Sequence, residues 1–383
     1  MPILCGTSRA DDPETAVTDL KAMIDQSQPA CRLVFCSANR DLGAVGRALA
    51  RQFPDGPTIG CSTAGEIGPN GYVSNSLTGI SLPAADFAAV AGLIGDIAEF
   101  DLDRTRREIA ELLVTLGAKA GAPLAGHTFA LLLIDGMCGQ EEWLVSAIAD
   151  ILGEIPLLGG SAGDNLRFQS TSVFCEGAFH TDAAVLLLVY TPCPFTLFAT
   201  QHFAGTPQKL VVTAADPSAR IVTEINGEPA AEEYARLVGL EPDLLNPMIF
   251  AAHPVVVRVG GRYYVRSIRK LNPDGSLSFF CAIDEGLVLT VAEGLDIVGS
   301  LADALAQVRD EVGPPQLIIG CDCILRRLEI DRRGLTETIS AILSANRVIG
   351  FNTYGEHIHA IHVNQTLTGI AIGAAPTPLE ITR

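Results

Sequence analysis

Ile59-Gly-Cys-Ser-Thr-Ala-Gly-Glu66 decides how this chain is read, because its pattern returns twice. It closes a run that starts at Leu33-Val-Phe-Cys-Ser37, passes through a helical stretch and ends in a glycine-rich turn. A second copy runs from Leu131-Leu-Leu-Ile-Asp135 to Leu158-Gly-Gly-Ser-Ala-Gly-Asp164. A third runs from Leu317-Ile-Ile-Gly320 to Ile349-Gly-Phe-Asn-Thr-Tyr-Gly-Glu356. Such internal repetition constrains a fold before any local propensity does. Leu42, Val45, Leu49 and Phe53 recur at helical intervals, as do Leu144, Ile148, Ile151 and Leu152, so each copy reads as strand, helix, strand. A crossover of this kind joins parallel strands. The first two copies could share one sheet, and the third would belong to a second domain of related build.

Outward from these units the chain is rich in strands. Ser172 to Cys175, Ala183 to Tyr190, Thr196 to Thr200, Leu210 to Thr213, Val255 to Val259, Tyr263 to Ile268, Leu277 to Ile283 and Leu287 to Val291 all read as strands. Asn272-Pro-Asp-Gly275 is a turn signal that predicts a hairpin. The expected class is α+β, with two domains of large mixed β-sheets flanked by helices. Ala-Asp-Pro-Ser-Ala-Arg220 marks the expected boundary, giving domains 1–220 and 221–383, and Ala374 to Arg383 reads as a tail.

The chain has 383 residues, 48% hydrophobic and 18% charged, which suits a folded protein of two domains. Its apolar runs are far shorter than the roughly 20 residues needed to cross a bilayer. The first residues, MPILCGTSRADD, lack the basic and apolar regions of a secretory signal, so a cytoplasmic location is expected. The ten cysteines then read as thiols, and no CxxC pair suggests a structural zinc. A net charge of −18 weighs against nucleic acid and anionic membranes as partners. Arg326-Arg327 and Arg332-Arg333 read as solvated helix faces, and the pairs Glu141-Glu142 and Glu232-Glu233 as solvated carboxylates whose side chains diverge.

The glycine-rich turns are the first candidate site. Glycines allow positive φ and close backbone approach, and exposed N–H groups with Ser or Thr hydroxyls can cradle a carboxylate. Glycines that merely turn packed strands would look the same. The turns match neither a P-loop nor a dinucleotide fingerprint. Gly159-Gly-Ser-Ala-Gly163 matches Gly-x-Ser-x-Gly by letter, but no helical pattern follows Ser161, as a nucleophile elbow demands. Cys61 as a nucleophile would need a base that the sequence does not place. In Glu356-His-Ile-His-Ala-Ile-His362, a continuous strand would put His357 and His359 on one face and His362 on the other. Two such imidazoles bind a metal only with a third ligand from elsewhere. His202, alone among apolar and aromatic neighbours, suits a haem axial ligand as well as it suits a half-buried structural histidine. A binding protein, not an enzyme, is the expectation.

Segments in both halves of the chain carry a family resemblance. Ile59 to Ile67, Gly159-Gly-Ser-Ala-Gly-Asp-Asn165 and Asp182-Ala-Ala184 resemble the N-terminal half of FIST proteins. Glu224-Ile-Asn-Gly-Glu-Pro-Ala230 with Tyr234, and Gly350-Phe-Asn-Thr-Tyr-Gly-Glu356 with His362-Val-Asn-Gln-Thr366, resemble the C-terminal half. The resemblance implies an intracellular small-ligand sensor, for which amino acids are suggested ligands. One similar stand-alone group senses nitric oxide through haem and regulates a partner histidine kinase. It therefore implies haem b as cofactor, with His202 and His362 as candidate iron ligands. The alternative is an amino-acid or organic-acid sensor, with Cys61, Ser62, Thr63, Ser161 and Asn165 at one end of the ligand and Tyr354, Glu356 and Asn364 at the other. A cysteine-, serine- or metal-dependent enzyme is a further alternative. The chain shows no kinase or receiver segment, so output is expected to pass through another protein.

Overall fold

The computed structural model describes residues 2–259 and 262–375. The expected tail lies outside the described residues from 376 onward. The three repeats form three modules of one plan. The first has an edge strand Leu4–Ser8, a helix Pro13–Ile24, the strand Pro29–Ser37, a helix Leu42–Gln52 and the strand Thr58–Thr63. A short hairpin, Glu66–Gly68 with Gly71–Val73, and a return strand Leu77–Pro83 complete it. The second follows the same order from Ala88–Gly95 to Ala183–Tyr190, and the third from Phe195–Ala199 to Leu367–Ile372. In each, the two crossover strands pair in parallel: Pro29–Ser37 with Thr58–Thr63, Thr128–Ile134 with Leu157–Ser161, and Leu317–Cys323 with Val348–Thr353.

The first two units do not share a sheet. Each module builds its own six-stranded sheet, whose far edge is the hairpin of another module. The first module's hairpin joins the third sheet through Ile67 opposite Gly350. The second module's Val173–Cys175 lies against Thr58–Thr63 of the first, with Val173 opposite Cys61. The third module's Glu356–Ile358 lies against Leu157–Ser161 of the second, with His357 opposite Gly159. The exchange is cyclic, so the third unit is tied into the same body as the other two. Period-2 and period-3.6 patterns are local and carry no signal for which sheet a strand joins.

One shared core lies between the three sheets, with Phe35, Cys61, Leu131, Leu133, Ile319 and Phe351 among its members. Alternate residues of the same strands, such as Ala130, Leu132 and Ile134, face the covering helices Leu102–Ala120 and Glu141–Leu152. Burial on both faces explains the unbroken apolar runs. Asp12, Asp41 and Asp101 accept hydrogen bonds from N–H groups in the first turns of their helices, which fixes three helix starts.

Between Phe195–Ala199 and Ile297–Val312 the third module carries an insertion. It is an eight-stranded antiparallel sheet, running from Phe203–Asp216 to Val288–Gly294, packed on helices Ala230–Val238 and Pro247–Ala252. The hairpin expected at Asn272-Pro-Asp-Gly275 is present, joining Ile268–Leu271 to Leu277–Phe279. The expected boundary at 220/221 falls in the turn between Phe203–Asp216 and Ile221–Ile225, two paired strands of this sheet. The class is α+β with large mixed sheets. No helix among the described residues is long and apolar enough to cross a membrane.

Gly60, Gly159 and Gly350 occupy equivalent places in the three modules. A Cβ on each would stand 1.8 Å from a main-chain oxygen of the adjacent strand, that of Val34, Leu132 or Gly320. Backbone cannot yield as a side-chain tip can, so Gly159→Ala is expected to cost about 3 kcal/mol or more. Gly117→Ala, in an open helical position, is expected to stabilise by about 0.5–1 kcal/mol. Urea denaturation midpoints check both signs.

Candidate functional site

The glycine-rich corners converge, as their repetition suggested, but they close on one another. Gly163 N–H donates to Ser62 O at 3.0 Å, Ser161 N–H to Gly355 O at 2.8 Å and Asn352 N–H to Gly65 O at 2.7 Å. A Cβ on Gly163 would lie 2.8 Å from Ala64 N. The corners pack main chain against main chain at these contacts. Ser62 Oγ donates to Gly163 O and accepts from Ser172 N–H, both at 3.0 Å. Thr63 donates to Glu66, which also accepts from the hydroxyl and N–H of Ser76. Glu356 repeats this arrangement with Thr353 and with the hydroxyl and N–H of Thr366. Ser62, Thr63 and Glu356 are therefore engaged in building the corners. Burial pushes Glu66 up to about 7 and Glu356 up to about 8, against these hydrogen bonds.

Cys61 is buried in the shared core, and burial, with Cys321 and Cys36 nearby, pushes its thiol well up. A protonated thiol is a poor nucleophile. Ser161 is buried as well. Its Oγ lies 3.5 Å from His357 Nε2, the outer limit of a hydrogen bond.

The histidine cluster differs from a continuous strand. The chain turns at His359, whose φ is 54°, so His357 and His362 face each other across a hairpin. Their Nδ1 atoms are 3.1 Å apart. Burial holds both well below the usual imidazole range, with His362 adding to the effect on His357 and Arg220 and Arg266 to that on His362. Two neutral rings at this distance share one proton, one nitrogen donating and the other accepting. His362 Nε2 and Asn364 Oδ1 are buried and have no partner. No group of three metal-ligating side chains occurs among the described residues.

The hollow lies beside the corners, where the second module departs from the others. In the first module the hairpin follows the crossover strand at once; in the second, residues 162–172 intervene. Asn165, Leu166 and Phe168 in this loop have φ of 57°, 63° and 51°, a left-handed backbone that is costly for bulky side chains. Asp164 holds it. Its carboxylate accepts from Phe168 N–H at 2.9 Å, Gln169 N–H at 2.7 Å, Ser170 N–H at 3.1 Å and the Tyr354 hydroxyl. Leu166 N–H in turn donates to Tyr354 Oη at 2.8 Å. Burial alone would raise the Asp164 carboxyl, but these donors, Tyr354 foremost, outweigh it and hold it below the usual range.

This loop walls a pocket of about 240 Å³ with Gly136, Met137, Gly139, Glu141, Ser218, Arg220, Arg269, Phe280 and Tyr354. The 136–139 segment follows the carboxyl end of the parallel strand Thr128–Ile134, the customary place for ligands in sheets with crossover helices. The inserted sheet supplies the opposite wall through residues 218–220, 269 and 279–280. Phe168, Phe280 and Tyr354 form an aromatic triangle with centroids 5.1–5.7 Å apart. The Arg269 guanidinium lies 5.7 Å from the Phe168 centroid. Its Nε is buried without a partner, and burial lowers its pKa, with Arg220 adding to the effect.

Two sequence expectations are corrected here. Glu141 and Glu142 do not diverge into solvent: both pair with Arg220, Glu141 at 2.7 Å, and Glu141 is 3% exposed. Burial pushes Glu141 up to about 7 despite Arg220. Arg326 is not on a solvated face; it is buried, paired with Asp322 at 2.8 Å. Of the residues singled out from sequence, Tyr354 lines the pocket and Asn165 lies in its wall loop. Arg220, Arg269, Phe168 and Phe280 were missed. The signal available was Arg266 and Arg269 set among apolar strand residues. His202 lies elsewhere, buried, with Nε2 2.7 Å from Glu329. Burial lowers its pKa, against the pull of Glu329.

Residues 32–228 match the model of the FIST N domain and residues 230–359 that of the FIST C domain. No curated protein matches the chain.

Two pH dependences follow. Asp164 has a depressed folded value, so its stabilisation is present above the unfolded value of about 3.9 and fades as pH falls through the folded one. Protection factors of the 165–170 amides, taken against the intrinsic exchange rate at each pH, should be high at pH 6 and fall below about pH 4, and Asp164→Asn should remove the protection at pH 6. Glu66 and Glu356 have raised values, so the folded state holds the extra protons. Stability is then highest below the ordinary 4.5 and declines as pH rises to about 7 and about 8. Replacing both by Gln should flatten that slope in urea midpoints measured from pH 5 to 8.

Proposed function

The chain belongs to the FIST family, whose domains are associated with small-ligand binding in sensory signal transduction, and we propose that its ligand is a small carboxylate of the amino-acid or organic-acid class. The observation that carries this reading is Arg269. A guanidinium with a buried, partnerless Nε, set beside three aromatic rings in a 240 Å³ hollow, suits a planar carboxylate bound in the fork geometry of arginine. Glu141, Arg220 and the Asp164 loop supply the other polar edges. The pocket joins the three-sheet body to the inserted sheet, so a bound ligand links two parts of the protein. A ligand that binds one arrangement of those parts better than another shifts the population between them. The output then reaches a separate partner, such as a histidine kinase, that distinguishes the two.

Haem with nitric oxide is the second reading, and it needs a different histidine. His202 has its Nε2 on Glu329. His362 is enclosed among polar groups, its Nδ1 on His357. Neither is among the residues lining the hollows of about 240 Å³ and 330 Å³. His359, however, is exposed at the rim of a hollow of about 330 Å³ lined with Leu197, Phe198, Tyr263, Tyr264 and Ile361, and an imidazole beside apolar walls is the kind of setting haem uses. Bound there, haem would supply an iron able to take nitric oxide.

A thermal-shift screen of amino and organic acids tests the first reading. A carboxylate at about 100 times its Kd should stabilise the protein by about 2.7 kcal/mol. Arg269→Gln should erase that shift, and Ser62→Ala should lower the midpoint yet keep it. Absorption after haem addition tests the second: the Soret band should vanish in His359→Ala and survive in His202→Ala. Retention of the carboxylate shift in Arg269→Gln would remove the pocket from consideration.

A further inference from the structure

Two sheets end beside the hollow of about 330 Å³. Phe195–Ala199 is the outer strand of the third module's sheet, and among the described residues it pairs only with Leu367–Ile372. Arg262–Arg266 is the outer strand of the inserted sheet and pairs only with Val255–Val259. Consecutive residues of both runs, 197–201 and 263–265, line the hollow. Successive side chains of a strand point to opposite faces: Leu197 packs on the shared core, and Phe198 on the cluster that contains helix Ile297–Val312. A hollow that touches both faces of two strands runs along their edges. Its floor is one face of the hairpin Glu356–Ile358 with Ile361–Val363, where Ile358 lies opposite Ile361 and Val363 follows two residues on.

The bonds at the two ends of Phe195–Ala199 show which of its groups are free. Gly373 N–H donates to Pro194 O at 2.8 Å, and Thr200 N–H donates to Leu367 O at 2.9 Å. Bonded residues alternate along an antiparallel strand, so Phe195, Leu197 and Ala199 turn their N–H and C=O groups away from Leu367–Ile372. An open edge of this kind is a template for a further strand. The described residues lining the hollow include no carboxylate, lysine or arginine, although the chain carries a net charge of −18. Complementarity of charge selects an uncharged occupant, and the open edge selects an extended one. We propose that the hollow is a docking groove for an extended, uncharged segment of a separate protein, added as a strand to Phe195–Ala199. Main-chain bonds to residues 195, 197 and 199 hold the segment, and its alternate apolar side chains lie on Ile358, Ile361 and Val363. Tyr263 and Tyr264 close the groove from the inserted sheet. The groove supplies the place for a partner that the sensory reading calls for, and it does not depend on which acid fills the 240 Å³ hollow. Haem and the segment would exclude each other from this space.

Selection of displayed random peptides on the full chain, with no acid or haem added, tests the groove separately from the carboxylate site. Enriched peptides should carry aliphatic or aromatic residues at alternate positions, with uncharged residues between them. In fluorescence polarisation, a labelled synthetic copy of an enriched peptide should bind Ala199→Pro about tenfold or more weakly, the loss expected for one main-chain hydrogen bond. Ala199 is exposed and its N–H faces outward, so proline there spares the ladder to Leu367–Ile372, and the urea midpoint should stay near that of the wild type. Ile361→Glu, which sets a charge on the floor, should weaken binding as well. N-methylation of alternate peptide amides should abolish it with the side chains unchanged. Arg269→Gln should leave peptide binding intact, so loss of the carboxylate site and loss of the groove are told apart. Equal binding to the wild type and Ala199→Pro, enrichment of charged peptides, or no enrichment overturns the proposal. A concentration-dependent dimer of the chain that Ala199→Pro abolishes would place a second copy on the edge and overturn the assignment to a separate protein.

Discussion

Each of the three sheets lacks its outer edge until another module supplies a hairpin. An unpaired strand edge exposes a row of N–H and C=O groups, and the cyclic exchange covers one such edge in every sheet at once. The shared core can form only when all three sheets are in place, because Phe35 stacks on Phe351, 4.8 Å between centroids, from modules far apart in sequence. Local pieces of this chain therefore have little reason to be stable alone. The glycines at the corners follow from the same constraint, since crossing main chains leave no room for a Cβ.

Departure from that plan marks the place where chemistry is possible. The first and third modules end their corners alike, each with a buried glutamate tied to two hydroxyls. The second has no such glutamate and extends into a loop instead. Asp164 holds that loop in a strained left-handed path, and the strain brings Phe168 against Tyr354 and Phe280. A module relieved of closing its corner in the common way becomes free to line a pocket. The inserted sheet completes the wall from the other side.

Charge placement is consistent with that division. The buried carboxylates of the corners are surrounded by hydroxyls and backbone donors, with no cation paired to them in a salt bridge among the described residues, so burial favours their neutral form. Around the pocket, by contrast, Arg220 pairs with Glu141 and Glu142, and Arg269 lines the hollow with a buried Nε that has no partner. The imidazole pair between these regions is enclosed and uncharged.

The sequence by itself determined the triple repeat, the strand–helix–strand units, the α+β class and the family, because apolar periodicity and glycine placement are local records of burial. It also led to Tyr354, through the third glycine-rich turn. A stronger repeat was present and went unread: Gly71-Tyr-Val-Ser-Asn-Ser-Leu-Thr-Gly-Ile80 matches Ile361-His-Val-Asn-Gln-Thr-Leu-Thr-Gly-Ile370 in its alternation and its ending, and it pairs Ser76 with Thr366 as hydroxyl partners of a glutamate. Only the tertiary structure decided which sheet each hairpin joins, that His357 meets His362 across a turn, that Glu141, Glu142 and Arg326 are drawn inward, and that Arg220 and Arg269 face Phe168 and Tyr354. Arg220 meets Glu141 and Tyr354 meets Asp164 across tens to hundreds of positions, whereas His357 and His362, five apart, meet because the chain turns at His359. No local pattern encodes them, because the partner that buries or pairs a side chain is chosen when the modules close around their common core.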